Sequence, residues 1–309
     1  MDGFVRGRQR LAVLGALGET DVVASDPVRI WRLSGVERLH RSNGSTVVFK
    51  YATEPFLNEH VVLADLARQG VPVPALRAAV VVDGMLGMLL EDLGDPVREA
   101  TEHDAAVAAV SLHDAAVPAG LDRLGERELA ALPGRTLDLL DQLRAAGRYG
   151  SADDLRHQLV ALDPVAADRA RGAECPPFGM CHGELHSSAL HIGTGGWRLL
   201  DFAMAVHGPG LLDLAAWAGL RPPADPIHTR TYIERYVLAG GHPDAMADRG
   251  GLPAEQWVLG WHRVQAAHWL LECAAIGIDA ADTDDGHLTA LRRQLTGACE
   301  LLGALGGSR

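Results

Sequence analysis

The sequence predicts an α+β fold in two parts. Residues 1–94 read as a five-stranded antiparallel sheet with one helix, and residues 95–309 as mostly helical. Three observations carry this. Short runs of β-branched and aromatic residues separated by turn residues fill the first part. Ala- and Leu-rich runs with helical spacing take over from Pro96. One hairpin pattern, Leu190–Leu200, interrupts the helices.

The elements follow in order. Arg6, Arg8 and Arg10 precede the apolar run Leu11–Gly18, an arrangement reminiscent of a secretory leader. The run is brief, acidic residues follow it at once and no small-residue cleavage pattern appears, so a first amphipathic helix is expected. Val28–Leu33 is the first strand candidate, Ser34-Gly35 a turn, and Val36–Arg41 the second strand. Ser42-Asn43-Gly44 closes a hairpin onto Thr46–Tyr51, the third strand. Leu57–Gln69 carries apolar residues at helical spacing and stops at Gly70. The run Val71–Pro74 cannot continue a helix. Leu76–Val82 and Met85–Leu90 flank Asp83-Gly84 as the last two strands.

Beyond Pro96, helices are expected over Glu99–Ala116, Leu121–Leu132, Thr136–Ala146 and Ala152–Arg171, the second and third separated by Pro133-Gly134. Cys175-Pro176-Pro177 ends this series. A polar loop around His182, Gly183 and Glu184 follows. Leu190–Ile192 and Trp197–Leu200 then pair across Gly193, Gly195 and Gly196, and Asp201 ends the hairpin. After Leu211–Gly219, three more helices lie near Pro226–Ala239, Pro253–Ala275 and Asp285–Leu305.

At 309 residues with 48% hydrophobic and 22% charged content, the chain suits a globular protein of one or two domains. A formal net charge of −12 argues against nucleic acid or an anionic membrane as partner, and fits a cationic ligand only weakly. No segment approaches a membrane span. Cys175, Cys181, Cys273 and Cys299 form no paired motif and read as reduced thiols of a cytoplasmic protein. Of the 28 basic residues, 27 are Arg and one is Lys50. Surface charges tolerate exchange of Lys for Arg; a site built around a compact ammonium does not.

The hairpin carries two carboxylates, Glu184 and Asp201, to its two ends. Phosphoryl transfer needs such a pair, one to orient an attacking hydroxyl and one to hold Mg²⁺ on nucleotide phosphates. Crowding of Cys181, His182, Glu184 and His186 raises a zinc site as a rival. His-Gly-Glu-Leu-His lacks the helical spacing of a zincin and the paired cysteines of a deaminase, so zinc is set aside. Trp257, Trp261, Gln265, His268 and Glu272 fall on one helix face, which suits either a core stripe or the wall of a cleft. The acidic run Asp279, Asp282, Asp284 and Asp285 reads as a solvated loop.

The stretch Met180–Asp201 resembles the catalytic core of the aminoglycoside phosphotransferase family, small-molecule kinases related to protein kinases. His182 and Gly183 match its His-Gly-Asp pattern, and Asp201 matches its metal-binding Asp. Glu184 stands where that family has its catalytic Asp, and Ala189 where it has a metal-binding Asn. The resemblance implies a bilobal protein-kinase-like fold that uses ATP or GTP with Mg²⁺. It implies catalytic roles for Glu184 and His182, and nucleotide contacts from Ser34, Gly35, Lys50, Glu59 and the hinge residues Glu91, Asp92 and Leu93. Metal would be held by Asp201 and Ser188, and substrate by His186, Trp261, Gln265, His268 and Glu272. Asp213 matches the family Asp that anchors the catalytic loop; a helix N-terminal acid would also sit there. The implied partner is a hydroxylated small molecule, an antibiotic of aminoglycoside, peptide or nucleoside type, acted on by a monomer or homodimer. A metabolic kinase acting on a sugar, amino alcohol or amino acid is the alternative, as is a nucleotide-binding pseudokinase, because of Glu184 and Ala189.

Overall fold

The computed structural model describes residues 3–277 and 284–304. The backbone divides into two compact units: residues 1–100 with 188–205, and residues 101–187 with 206–309. The expected division at residues 94 and 95 falls slightly earlier than this one. The hairpin that interrupts the helices in sequence belongs to the first unit.

In the first unit, helix α1 (Gly3–Ala16) precedes strands β1 (Val22–Ile30), β2 (Ser34–Arg41) and β3 (Thr46–Thr53). Helix α2 (Glu59–Arg68) separates β3 from β4 (Leu76–Val82) and β5 (Met85–Leu90). The sheet is antiparallel throughout, in the order β1-β2-β3-β5-β4. Its alternating register sends Leu39, Val47, Phe49, Tyr51, Met85 and Leu89 to one face, where they form a core with Val13 and Leu14 of α1. That packing confirms the amphipathic first helix. A Cβ on Gly87 would lie 2.0 Å from a Val13 methyl group, so α1 can approach β5 only because this strand residue has no side chain. Gly87→Ala is expected to destabilise the protein by about 1–3 kcal/mol through this clash. A chemical denaturation midpoint shift with unchanged slope would register it.

The β1–β2 connection differs from expectation. β1 lies earlier than the Val28–Leu33 run, and the turn is Trp31-Arg32-Leu33, with Trp31 N–H donating to the Ser34 carbonyl at 2.8 Å. Ser34 and Gly35 open β2 instead of forming the turn. Gly35 is required by packing: a Cβ there would meet the Tyr51 ring at 2.3 Å.

Two further strands, β7 (Leu190–Gly193) and β8 (Gly196–Leu199), make the expected hairpin with Thr194-Gly195 at its tip. Backbone bonds join the hairpin to the rest of the unit. Val97 N–H donates to Ile192 O at 2.8 Å, and Leu199 N–H to Pro72 O at 2.9 Å.

The second unit holds α3 (Glu102–His113), α4 (Glu126–Ala145), α5 (Asp153–Ala170), α6 (Leu211–Ala218), α7 (Pro226–Leu238), α8 (Ala254–Ala275) and α9 (Asp284–Leu302). A small antiparallel pair of strands, β6 (Phe178–Cys181) and β9 (Val206–Pro209), accompanies them. The break expected at Pro133-Gly134 does not occur, and α4 runs through both residues. An interior Pro costs about 3 kcal/mol. Leu129, Leu132, Pro133, Thr136, Leu140 and Leu143 nevertheless form one continuous buried stripe, and the Thr136 hydroxyl donates to Leu132 O at 2.6 Å. Burial of the whole stripe outweighs the local defect. No described helix is long and apolar enough to cross a membrane.

Candidate active site

In the first unit, Lys50 and Glu59 come together with Asp201. Lys50 sits at the middle of β3, paired with Val36 on one side and Met88 on the other, and is 5% exposed. Glu59 opens α2, where the helix dipole favours a carboxylate, and is 2% exposed. The Lys50 ammonium donates to Glu59 Oε1 at 2.7 Å and to Asp201 Oδ1 at 2.6 Å. Phe202 N–H adds a bond to Glu59 Oε1 at 3.1 Å. Burial alone would push the Lys50 pKa down; Glu59 and Asp201 outweigh it and hold the ammonium above the ordinary lysine value. Asp201 follows the same logic with opposite sign. Burial would raise its carboxyl, but Lys50 and Arg29 hold it well below the usual carboxylate range. Its φ of 66° places it in the left-handed region, which Asp tolerates better than most residues.

Arg29 was not foreseen. Its Nη2 donates to Asp201 Oδ2 at 2.5 Å, and its guanidinium stacks 4.5 Å from the Trp31 ring centroid. In a chain with 27 Arg, nothing in the sequence distinguishes this one.

The hinge residues follow β5. Glu91 N–H donates to Ala75 O at 2.9 Å, and its side chain accepts from Ala75 N–H at 3.2 Å. Asp92 pairs with Arg38 at 2.9 Å and accepts from Gly94 N–H at 3.0 Å. Burial would raise the Asp92 carboxyl, but Thr46, Gly94 and Arg38 together hold it below the ordinary value. Both hinge carboxylates are thus engaged locally. Leu93 is half-buried. Ser34 shares the Lys50 face of the sheet, because Ser34 pairs with Ala52 and Val36 with Lys50. Gly35 pairs with Tyr51, and a Cβ on it would point to the α1 side against the Tyr51 ring. Ser188 is exposed on a single helical turn, Ser187–Ala189. Ala189 is 1% exposed, and its carbonyl accepts from Leu200 N–H at 2.8 Å.

In the second unit, Asp213 organises the loop after β6. It stands in the first turn of α6, fully buried. Its carboxylate accepts from His182 N–H at 2.7 Å and Gly183 N–H at 2.9 Å, and pairs with His113 Nε2 at 3.3 Å. Burial would raise its carboxyl, yet His113 and His182 hold it below the ordinary value. Gly183 takes a φ of 82°, which suits a glycine. His182, expected to be catalytic, is completely buried. Its Nδ1 accepts Glu184 N–H at 3.3 Å, so it shapes the loop. Glu184 and His186 are half-buried, with buried Leu185 between them.

The late helix face divides along its length. Trp257 and Trp261 are fully buried, and both indole N–H groups donate to Arg169 O, at 2.6 and 3.2 Å. Trp261, expected to face substrate, is therefore packed in the core. Gln265 lines a small pocket with Gly183, Asp213 and His262. Burial and the neighbouring Arg263 push His262 down to about 4. His268 meets Thr136 Oγ1 at 3.1 Å and Glu272 at 3.4 Å, and Glu272 is 45% exposed. Asp279 and Asp282 lie outside the described residues, as do the side chains of Asp284 and Asp285.

The chain matches a known protein family, and solved structures share its fold. The description of the phosphotransferase enzyme family fits residues 38–270, about three quarters of the chain, and the protein belongs to that family. No curated protein sequence matches it. Solved structures share the fold at low identity. A choline/ethanolamine kinase family protein from Mesorhizobium loti has a TM-score of 0.65 at 14% identity, covering 97% of this chain and 98% of that one. A macrolide 2'-phosphotransferase from Brachybacterium faecium gives 0.56 at 16%, covering 93% and 97%. An aminoglycoside phosphotransferase from Streptomyces rimosus gives 0.50 at 16%, covering 96% and 99%. The expected protein-kinase-like fold is therefore the observed one.

Proposed function

We propose that the protein transfers the γ-phosphoryl group of ATP or GTP to a hydroxyl of a small molecule. The observation that carries this reading is the single lysine of the chain, buried on β3 and held between Glu59 and Asp201. A buried ammonium has little structural use in a chain that otherwise uses Arg, but it is a compact neutraliser of phosphate oxygens. Lys50 would contact the phosphates, with Glu59 fixing its position. Backbone groups of Glu91, Asp92 and Leu93 would meet the base. Glu184 would orient the attacking hydroxyl and take its proton late in transfer. His186, Gln265, His268 and Glu272 would face the substrate.

The donor set fits one Mg²⁺. No group of three or more His, Cys, Asp or Glu among the described residues could cage a metal. Magnesium commonly binds through one carboxylate, phosphate oxygens and waters, which Asp201, a nucleotide and solvent supply, with Ser188 as a further oxygen. Bound there, the ion would neutralise charge on the phosphates. Ala189, buried just before β7, has no side-chain ligand to offer, so a second ion is not expected.

The substrate we favour is an antibiotic, with a sugar, amino alcohol or amino acid as the metabolic alternative. Incubation with ATP or GTP and Mg²⁺ against both sets of compounds should yield one product heavier by a phosphoryl group, read by mass spectrometry. Asp201→Asn should lower its formation by a factor of about 100 or more. Nucleotide binding with no compound phosphorylated would remove the transfer reading and leave the pseudokinase, which Glu184 and Ala189 already suggest. Turnover unchanged in Asp201→Asn would remove Asp201 as the metal ligand.

A further inference from the structure

We propose that Arg29 is a phosphate-binding residue of the nucleotide site, acting beside Lys50; this rests on the nucleotide reading above. Arg29, Val36 and Lys50 lie on one register line across β1, β2 and β3, so their side chains share one face of the sheet. That placement depends on an irregularity. Pro27 pairs with Glu37 and Arg29 with Val36, leaving Val28 as an extra residue in β1. In a regular ladder Val28 would oppose Val36 and Arg29 would fall on the α1 side. Such bulges commonly re-aim a side chain beside a functional site.

The two cations converge on one carboxylate, Lys50 on Oδ1 and Arg29 on Oδ2 of Asp201. Their surroundings differ. The Lys50 side chain is 6% exposed and spends two of its hydrogen bonds on Glu59 and Asp201. The Arg29 side chain is 35% exposed and gives Asp201 one of its five N–H donors. The Trp31 ring braces the guanidinium from one side. A half-exposed ion pair contributes little to stability, so its bond to Asp201 is a weak reason for the bulge. A planar fork with several open donors, next to a buried ammonium, suits a polyphosphate chain far better.

The test is calorimetric titration of wild type, Arg29→Ala and Arg29→Lys with Mg²⁺-ATP, AMP and adenosine. Arg29→Ala should bind ATP about 10-fold or more weakly, AMP with a smaller loss, and adenosine as wild type does. Arg29→Lys should recover part of the ATP affinity. An ATP affinity in Arg29→Ala within about twofold of wild type would overturn the proposal. So would equal losses for ATP and adenosine, which would mark Arg29 as a residue that shapes the sheet. Wild type that binds neither Mg²⁺-ATP nor Mg²⁺-GTP would overturn the nucleotide reading itself, and this proposal with it; if only the guanine nucleotide binds, the same comparison of variants is made with GTP, GMP and guanosine. Thermal unfolding of each variant in parallel separates lost contacts from lost fold, and Arg29→Gln provides a second neutral replacement.

Discussion

Lys50→Met should abolish phosphoryl transfer and destabilise the protein by about 3–5 kcal/mol. Both effects come from the same geometry. The ammonium is buried and faces two carboxylates, one of which, Glu59, is 2% exposed. Removing it leaves Glu59 with the Phe202 N–H at 3.1 Å as its remaining hydrogen-bond donor. An uncompensated buried charge is the costly outcome, more so than loss of the pair as a whole. The double variant Lys50→Met with Glu59→Gln should therefore recover part of the stability while remaining inactive, a non-additivity that a double-mutant cycle measures. Lys50→Arg should keep much of the fold and still lose turnover by a factor of about 100 or more, because a planar fork cannot occupy a space closed around a point charge. Wild-type turnover in that variant would undo the argument from the lone lysine.

Asp213→Asn should produce the second large effect. The carboxylate satisfies two backbone N–H groups and His113 in a site with no exposure. An amide offers one acceptor oxygen and presents an NH₂ group to a donor. The expected cost is again about 3–5 kcal/mol. The loop carrying Glu184 loses its anchor, so kcat should fall by about 100-fold, whereas KM for nucleotide should change far less. The acid limb of stability adds an independent signature. The folded pKa of Asp213 lies below its unfolded value of about 3.9, so its contribution is fully present above that pH and is lost as pH falls through the folded pKa. Asp213→Asn should flatten that part of the stability curve, measured by denaturation at stepped pH. A slope equal to wild type would show that Asp213 is not held in its charged form by the fold.

The parts of the fold visible in the sequence are those whose burial alternates cleanly. β4 and β5 fall at their expected residues, because apolar runs flank Asp83-Gly84 without ambiguity. β1 was displaced. It is an edge strand exposed along most of its length, so no alternating pattern marks it, and its bulge is silent in sequence. Ser34-Gly35 has turn chemistry, yet its glycine answers to the Tyr51 ring, a contact between strands that local pattern cannot reveal. β9 contains Gly and Pro and pairs with β6 and, at His207, with Arg123, so local propensity gave no sign of it.

Among the candidate residues, Lys50, Glu59 and Asp201 of the first unit and Asp213 of the second were legible because motif order and a lone lysine singled them out. His182 and Trp261 show the limit of that logic. Motif membership and aromatic character do not distinguish a side chain that reaches the surface of a loop or helix from one packed completely inside, as these two are. Arg29 was invisible for the converse reason, since its position is defined by a bulge and its type is the commonest cation in the chain.

The first unit is discontinuous in sequence, and this bears on the order in which the protein can assemble. As the chain leaves the ribosome, residues 1–100 emerge without β7, β8 and Asp201. Until roughly two thirds of the chain is made, Pro72 O and Val97 N–H lack their β8 and β7 partners, and Lys50 lacks one of its two carboxylates. Nascent chains arrested before residue 188 should then be protease-sensitive across the sheet, and chains arrested well past residue 205 resistant. The Lys50–Asp201 pair, and with it the proposed nucleotide site, is thereby withheld during synthesis until the Asp201 segment has been added.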